Sequence, residues 1–226
     1  MSIKCIAVFC GSKLGKNPLF AQHTAELGKI IAAKNLKLVY GGGKAGLMGI
    51  IADSVMAGGA PVLGIIPELL KEWETYHQGI TELRTVADMH VRKKMMYEHC
   101  DAAVILPGGF GTLDEMFELL TLDQTHKLSK PITIVIYGSS YWKNVVNLEM
   151  LAEKGAIGVK DLDLFQFADT PEEAFAILKE GLTRNHLVVE HPRTEAPIPD
   201  TPEASAQELL GPDIAQTRPF RAGIRD

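Results

Sequence analysis

Residues 102–115 read AAVILPGGFGTLDE. An apolar, β-branched run over residues 102–106 breaks at Pro107, passes Gly108, Gly109 and Gly111, and enters a helical pattern at Thr112 with carboxylates at Asp114 and Glu115. That is a strand, a glycine turn and a helix start. Glycines let the backbone approach a ligand closely, and the free N–H groups of a helix's first turn favour an anion such as a phosphate. A carboxylate in the same turn then suits a ligand that is anionic at one end and electron-poor at another. Thr112 and Glu115 also fit a capping box, S/T-x-x-E, in which Glu115 merely closes the helix end. This stretch alone leaves both readings open.

The rest of the chain supplies the context. Residues 4–10 read as a first buried strand, followed by Gly11, Ser12 and a loop to Pro18. Helical spacing predicts a helix over residues 19–35, and residues 36–40 form a second strand. That strand runs into Gly41, Gly42, Gly43 and Gly46, with a helical stretch over residues 47–57. A third strand over 61–66 ends at Pro67, a less regular segment reaches Gly79, and a short strand over 81–86 precedes a helix over 89–100. After the central strand come a helix over 112–127, a strand over 131–137, a helix over 141–154 and an amphipathic helix over 170–184. Strands without polar alternation, alternating with helices, predict an α/β fold, a Rossmann-like open parallel sheet with helices on both faces. Ligands bind such sheets beyond the carboxyl ends of the strands, where three glycine turns (Gly11, Gly41 to Gly46, Gly108 to Gly111) converge on one crevice. Residues 1–189 form this domain. Residues 190–226 carry half of the 12 prolines and read as a C-terminal tail.

Composition narrows the function. At 226 residues with 46% apolar and 23% charged content, the chain suits one well-buried α/β core. A net charge of -5 provides no broad basic surface, which disfavours nucleic acid as a partner. Cys5, Cys10 and Cys100 lack zinc-site spacing and cannot all pair within the chain, so a reducing cytoplasm is the expected location. No apolar run approaches membrane-spanning length.

Gly41, Gly43 and Gly46 satisfy G-x-G-x-x-G after a strand, with Glu68 about 20 residues on as a ribose-binding acid, so a dinucleotide site is a competing reading. It ranks second because that fingerprint follows the first strand of its fold, whereas here a strand and helix precede it. A P-loop is excluded because Lys44 is followed by Ala45, and neither H-E-x-x-H nor G-x-S-x-G occurs. The remaining polar cluster is MHVRKK at 89–94. The fixed fork of Arg92 suits a phosphate or a carboxylate. Lys93 and Lys94 read as a solvated helix start, and His90 as a polar surface or packing residue.

MHVRKK and PGGFGTLDE at 107–115, supported by VFCGS at 8–12 and GGGKAGLMG at 41–49, resemble the paired signatures of the LOG (LONELY GUY) family, cytokinin riboside 5'-monophosphate phosphoribohydrolases. The resemblance runs from residue 3 to about residue 185. It implies a Rossmann-like homodimer that hydrolyses the bond between an adenine-type base and ribose 5'-monophosphate, with no metal or organic cofactor. Arg92 and Glu115 match the family's catalytic arginine and glutamate. Lys93, Gly109, Gly111, Thr112 and Thr121 match positions lining the nucleotide site, and Glu74 falls where a further substrate contact is expected. Phe110 replaces a frequent tyrosine. Leu113 and Asp114 in the same turn, with Gly11, Ser12, Gly42, Gly43 and Met48 from the supporting motifs, complete the expected substrate-binding set. Glu115 is expected to face the sugar cation that develops during cleavage, with Arg92 positioning it. The alternative is a non-catalytic nucleotide or pterin-cofactor carrier on the same scaffold.

Overall fold

The computed structural model describes residues 5–73 and 75–189. Glu74 and the proline-rich tail lie outside the described residues. Seven strands alternate with helices in the order β1 (Cys5–Phe9), α1 (Pro18–Ala33), β2 (Lys37–Tyr40), α2 (Gly46–Ala57), β3 (Val62–Pro67), α3 (Glu68–Trp73), β4 (Glu82–Val86), α4 (Met89–His99), β5 (Ala102–Ile105) and α5 (Phe110–Gln124). They continue with β6 (Thr133–Tyr137), α6 (Ser139–Val145), α7 (Leu148–Glu153), a 3-10 turn (Val159–Leu164), β7 (Phe165–Ala168) and α8 (Pro171–Val189).

All the strands pair in parallel, in the order β4-β3-β2-β1-β5-β6-β7. The Rossmann-like fold is therefore as the sequence pattern predicts. β1 lies centrally, with Val8 opposite Val104 of β5 and Ala7 opposite Val39 of β2. Strand order reverses between β1 and β5, so the loops leaving these two strands splay apart and open a crevice between them. Successive side chains of β1 serve opposite faces, as the pleat requires. Ile6 and Val8 join Leu27, Ile31, Ile51 and Leu178 under α1, α2 and α8. Cys5, Ala7 and Phe9 join Met96, Tyr97, Met116 and Trp142 under α4, α5 and α6.

The sequence pattern misplaces several elements. The helix expected over 141–154 is two helices, because Val146 is extended and the Asn147 side chain accepts from Met150 N at 2.9 Å to start α7. Residues 68–73 form α3, and residues 159–168 form a 3-10 turn and the edge strand β7, where the pattern predicted nothing regular. β7 is held by its register with β6, Ile136 opposite Phe167, rather than by any periodicity of its own.

Candidate active site

The glycine turns meet at the reversal point, as the sequence predicts. Gly11 N–H donates to Pro107 O at 3.1 Å, and Leu47 N–H donates to Gly11 O at 3.1 Å, tying the loops after β1, β2 and β5 together. Gly46 has φ +61°, and a Cβ there would run into the Ser12 and Lys13 backbone, so the approach of α2 to this loop needs glycine twice over. Gly108 is equally confined, since a Cβ would collide with the Thr112 side chain. The Tyr141 hydroxyl donates to Gly108 O at 2.6 Å and fixes the turn from α6. Around these loops lies a cavity of about 350 Å³ lined by Gly11, Ser12, Lys13, Leu14, Gly108 and Gly109 among others.

Helix α5 begins at Phe110, with Gly109 as its N-cap and no side-chain cap. The first intrahelical bond runs from Leu113 N–H to Gly109 O at 3.0 Å, so the amides of Phe110, Gly111 and Thr112 have no partner within the helix. This overturns the capping-box reading. Thr112 is already inside the first turn, so Glu115 stands a further turn along and does not close the helix end. Its side chain is buried instead, with Met116 and Leu119 in the same helix.

Glu115 Oε1 lies 3.8 Å from Arg92 Nη2, and each side chain is 9% exposed. Arg92 is anchored to β3 and to the glycine turn after β2, Nε donating to Ile65 O at 3.1 Å and Nη2 to Gly41 O at 3.3 Å. Burial lifts the Glu115 carboxyl to a pKa of about 7, with Arg92 and Lys93 opposing the rise and Asp114 and Glu118 adding to it. Cys10, at the end of β1, feels the same pair, but burial dominates and pushes its thiol far up. The result is a carboxyl group poised to exchange a proton near neutrality beside a permanent cation.

The other expected residues divide. Gly42 has φ +80°, Gly43 bridges to Tyr76, and the Met48 side chain lies over Gly41 and Gly43 on the Arg92 side of the crevice. Phe110 projects into solvent, 92% exposed, at the mouth of the turn. Leu113 is partly buried against the core rather than open to the cavity. Thr121 is exposed, its hydroxyl donating to Phe117 O at 2.7 Å, and nine residues of helix carry it roughly 13 Å from Thr112. The turn and Thr121 are not brought together within this chain. Glu74 lies outside the described residues. Lys94 is exposed as expected, but Lys93 is buried, which corrects its reading as part of a solvated helix start. Lys13, Leu14, Phe20 and Tyr141 line the cavity without having been singled out. The lysine after Gly11 and Ser12 was the one available signal. Tyr141 arrives from a distant helix and had none. Among the described residues no group of three or more His, Cys, Asp or Glu side chains is placed to hold a metal ion, and no helix is long and apolar enough to cross a membrane.

Residues 48–178 match the family described as possible lysine decarboxylase. A probable cytokinin riboside 5'-monophosphate phosphoribohydrolase of Oryza sativa subsp. japonica is 37% identical over 180 residues, covering 79% of this chain and 78% of that protein. A cytokinin riboside 5'-monophosphate phosphoribohydrolase of Arabidopsis thaliana is 38% identical over 175 residues, covering 77% and 81%. Among solved structures, the molybdenum cofactor binding protein of Rippkaea orientalis matches with a TM-score of 0.60 at 18% identity, covering 80% of this chain and 99% of that one. The Moco carrier protein of Chlamydomonas reinhardtii matches at 0.59 with 19% identity, covering 81% and 99%. Identity this low establishes a shared fold and nothing about ligands.

Proposed function

Because this chain belongs to the LOG family of cytokinin riboside 5'-monophosphate phosphoribohydrolases, we propose that it hydrolyses the N-glycosidic bond of an adenosine 5'-monophosphate, N6-substituted or plain. The products are the free base and ribose 5-phosphate. The observation that carries this reading is the buried Arg92–Glu115 pair one turn beyond an uncapped, glycine-led helix start.

The partnerless amides of α5 and the Thr112 hydroxyl receive the 5'-phosphate, as a helix N-terminus favours. One helical turn, about 5 Å, separates Thr112 from Glu115, which suits a ribose lying along the helix with its phosphate at one end and its anomeric carbon at the other. Breaking the bond from the anomeric carbon to the base sends the electron pair to the base nitrogen and leaves positive charge on the ring. The Glu115 carboxylate faces that charge and takes a proton from the attacking water, whose oxygen bonds the anomeric carbon. The departing base nitrogen takes up a proton from solvent, and Glu115 returns the water's proton to solvent, so one water is consumed and the carboxylate is regenerated. Arg92 stays protonated throughout, so it orients Glu115 and the substrate instead of acting as an acid.

The family's other description, lysine decarboxylase, implies a pyridoxal phosphate lysine. The residues do not suit one: Lys93, the buried lysine among the described residues, is held as an ammonium by Asp114 and Glu118, opposite to the neutral amine a Schiff base requires. The likeness to molybdenum cofactor carriers is one of fold and favours no carrier role. A homodimer and a cytoplasmic location belong to the same proposal, and light scattering and cell fractionation test them.

The decisive experiment incubates the purified chain with AMP and with isopentenyladenosine monophosphate and separates base from nucleotide. Release of base with ribose 5-phosphate is expected, and the ratio of the two rates assigns the preferred base. Tight nucleotide binding with no release from either would replace the enzyme with a carrier.

A further inference from the structure

Helix α4 sends consecutive side chains to two sides of the site. Arg92 turns to the sheet, holding Ile65 O and Gly41 O. Lys93 turns to α5, where its Nζ donates to both carboxylate oxygens of Asp114 at 3.0 and 2.9 Å and pairs with Glu118. Asp114 and Glu118 are one turn apart and bracket Glu115. Tyr97, a turn beyond Lys93, directs its hydroxyl to the Glu115 carbonyl oxygen at 3.5 Å. The Lys93 side chain is 5% exposed, and its ammonium is already engaged by two carboxylates of α5.

We propose that Lys93, with Asp114 and Glu118, is a positioning residue: its buried ammonium, held by a half-exposed Asp114 and a partly buried Glu118, cross-braces α4 and α5 and sets Glu115 opposite Arg92, rather than contacting the substrate. Its consequence for turnover rests on the phosphoribohydrolase reading; its consequence for Glu115 does not.

The physical reason lies in the charges that face Glu115. Arg92, Lys93 and Tyr97 face it from α4, Asp114 and Glu118 from its own helix, and Cys10 from the end of β1. Three carboxylates thus crowd one face of α5 against two cations. Burial alone would pull the Lys93 ammonium down, but its hydrogen bonds to Glu118 and Asp114 outweigh that and leave it raised. Removing the lysine leaves two carboxylates uncompensated beside a third that is buried, which favours the protonated form of Glu115 and loosens the helix pair.

The test follows the Glu115 carboxyl by carbon NMR across pH in glutamate-labelled protein, its resonance assigned by its loss in Glu115→Gln. Lys93→Met is expected to move the midpoint up by about 1 pH unit, and Lys93→Arg, which keeps the charge, to move it less. Adding Asp114→Asn and Glu118→Gln to Lys93→Met removes all three charges and is expected to return the midpoint towards its original value. In parallel, the acid limb of kcat for isopentenyladenosine monophosphate should follow these midpoints while KM changes less than about threefold. An unmoved midpoint in Lys93→Met, or a large rise in KM with an unmoved kcat profile, overturns the brace and makes Lys93 a substrate contact. If Lys93→Met alone does not fold, the triple variant still decides: it must fold and titrate near the original midpoint, and failure of either defeats the proposal. An unmodified chain that releases no base would refute the hydrolase reading alone, since the NMR midpoints need no turnover.

Discussion

Arg92 Nη2 stands 3.8 Å from Glu115 Oε1, close enough to oppose the cost of burying the carboxylate but not to abolish it. Burial leads, and the pKa of Glu115 settles at about 7. In the proposed function this carboxylate must be ionised to receive a proton from water, and so limits the reaction on the acid side. Turnover should rise with pH and reach half its plateau near pH 7 in the free enzyme, measured as kcat/KM from pH 5 to 9. A plateau extending down to pH 5 would contradict the assignment.

The same shift is a stability statement. A carboxyl whose folded pKa lies above its unfolded value of 4.5 contributes stability that is full below pH 4.5 and is lost as pH rises through about 7. The span amounts to roughly 3 kcal/mol. Glu115→Gln has no such proton to lose. Its Tm relative to the unmodified chain should therefore climb between pH 5 and pH 8; a Tm difference that stays constant across that range would count against the buried, proton-holding state.

Glu115→Gln also separates binding from chemistry. It keeps the shape and hydrogen-bonding reach of the side chain but cannot face a cation as an anion or take a proton. A loss of about 10²–10⁴ in kcat is expected, with nucleotide affinity by calorimetry close to that of the unmodified chain. Full activity in this variant would remove Glu115 from the chemistry.

Gly46 tests the junction of the loops. A Cβ there would meet the Ser12 and Lys13 backbone, which cannot swing aside as a flexible side chain could, and φ is +61°. Gly46→Ala should cost about 3 kcal/mol in urea unfolding and weaken nucleotide binding, because the displaced loop carries Gly11 and Ser12. Wild-type stability in this variant would show that the α2 start can shift at little cost.

Phe110 is 92% exposed and adds little to the core, yet it begins the helix whose amides receive the phosphate in the proposed function. There its ring covers the phosphate end of the site. Phe110→Ala is expected to raise KM roughly fivefold, about 1 kcal/mol, with Tm within a degree or so of the unmodified chain. A fall in Tm with KM unchanged would make it a structural residue instead.

Strands β1, β2, β3, β5 and β6 were legible because each is a short, mainly apolar run, broken only by Lys37 at the start of β2 and Thr133 at the start of β6 and closed by a glycine or proline, and such runs are buried on both faces wherever the sheet places them. The glycine turns were legible for the same local reason. The start of α5 was not: Thr112 and Glu115 have capping-box spacing, and only the geometry of Gly109 shows that the helix begins earlier. The break between α6 and α7 escaped because its apolar spacing continues across Val146 and Asn147, although Asn147 is itself a good cap. Lys93 was misread as solvated because a lysine's burial depends on what α5 brings to it.

The sequence by itself determined the parallel α/β order, the three glycine turns at strand ends and the presence of Arg92 and Glu115 in the motifs of one family, since these rest on residues that are neighbours along the chain. Only the tertiary structure decided that Glu115 is a buried carboxyl with a raised pKa rather than a helix cap, that Arg92 is tied to Gly41 and Ile65, and that Lys93 of α4 pairs with Asp114 and Glu118 of α5. Desolvation and charge pairing act through space, and α4 and α5 meet only when the sheet brings them to the same face.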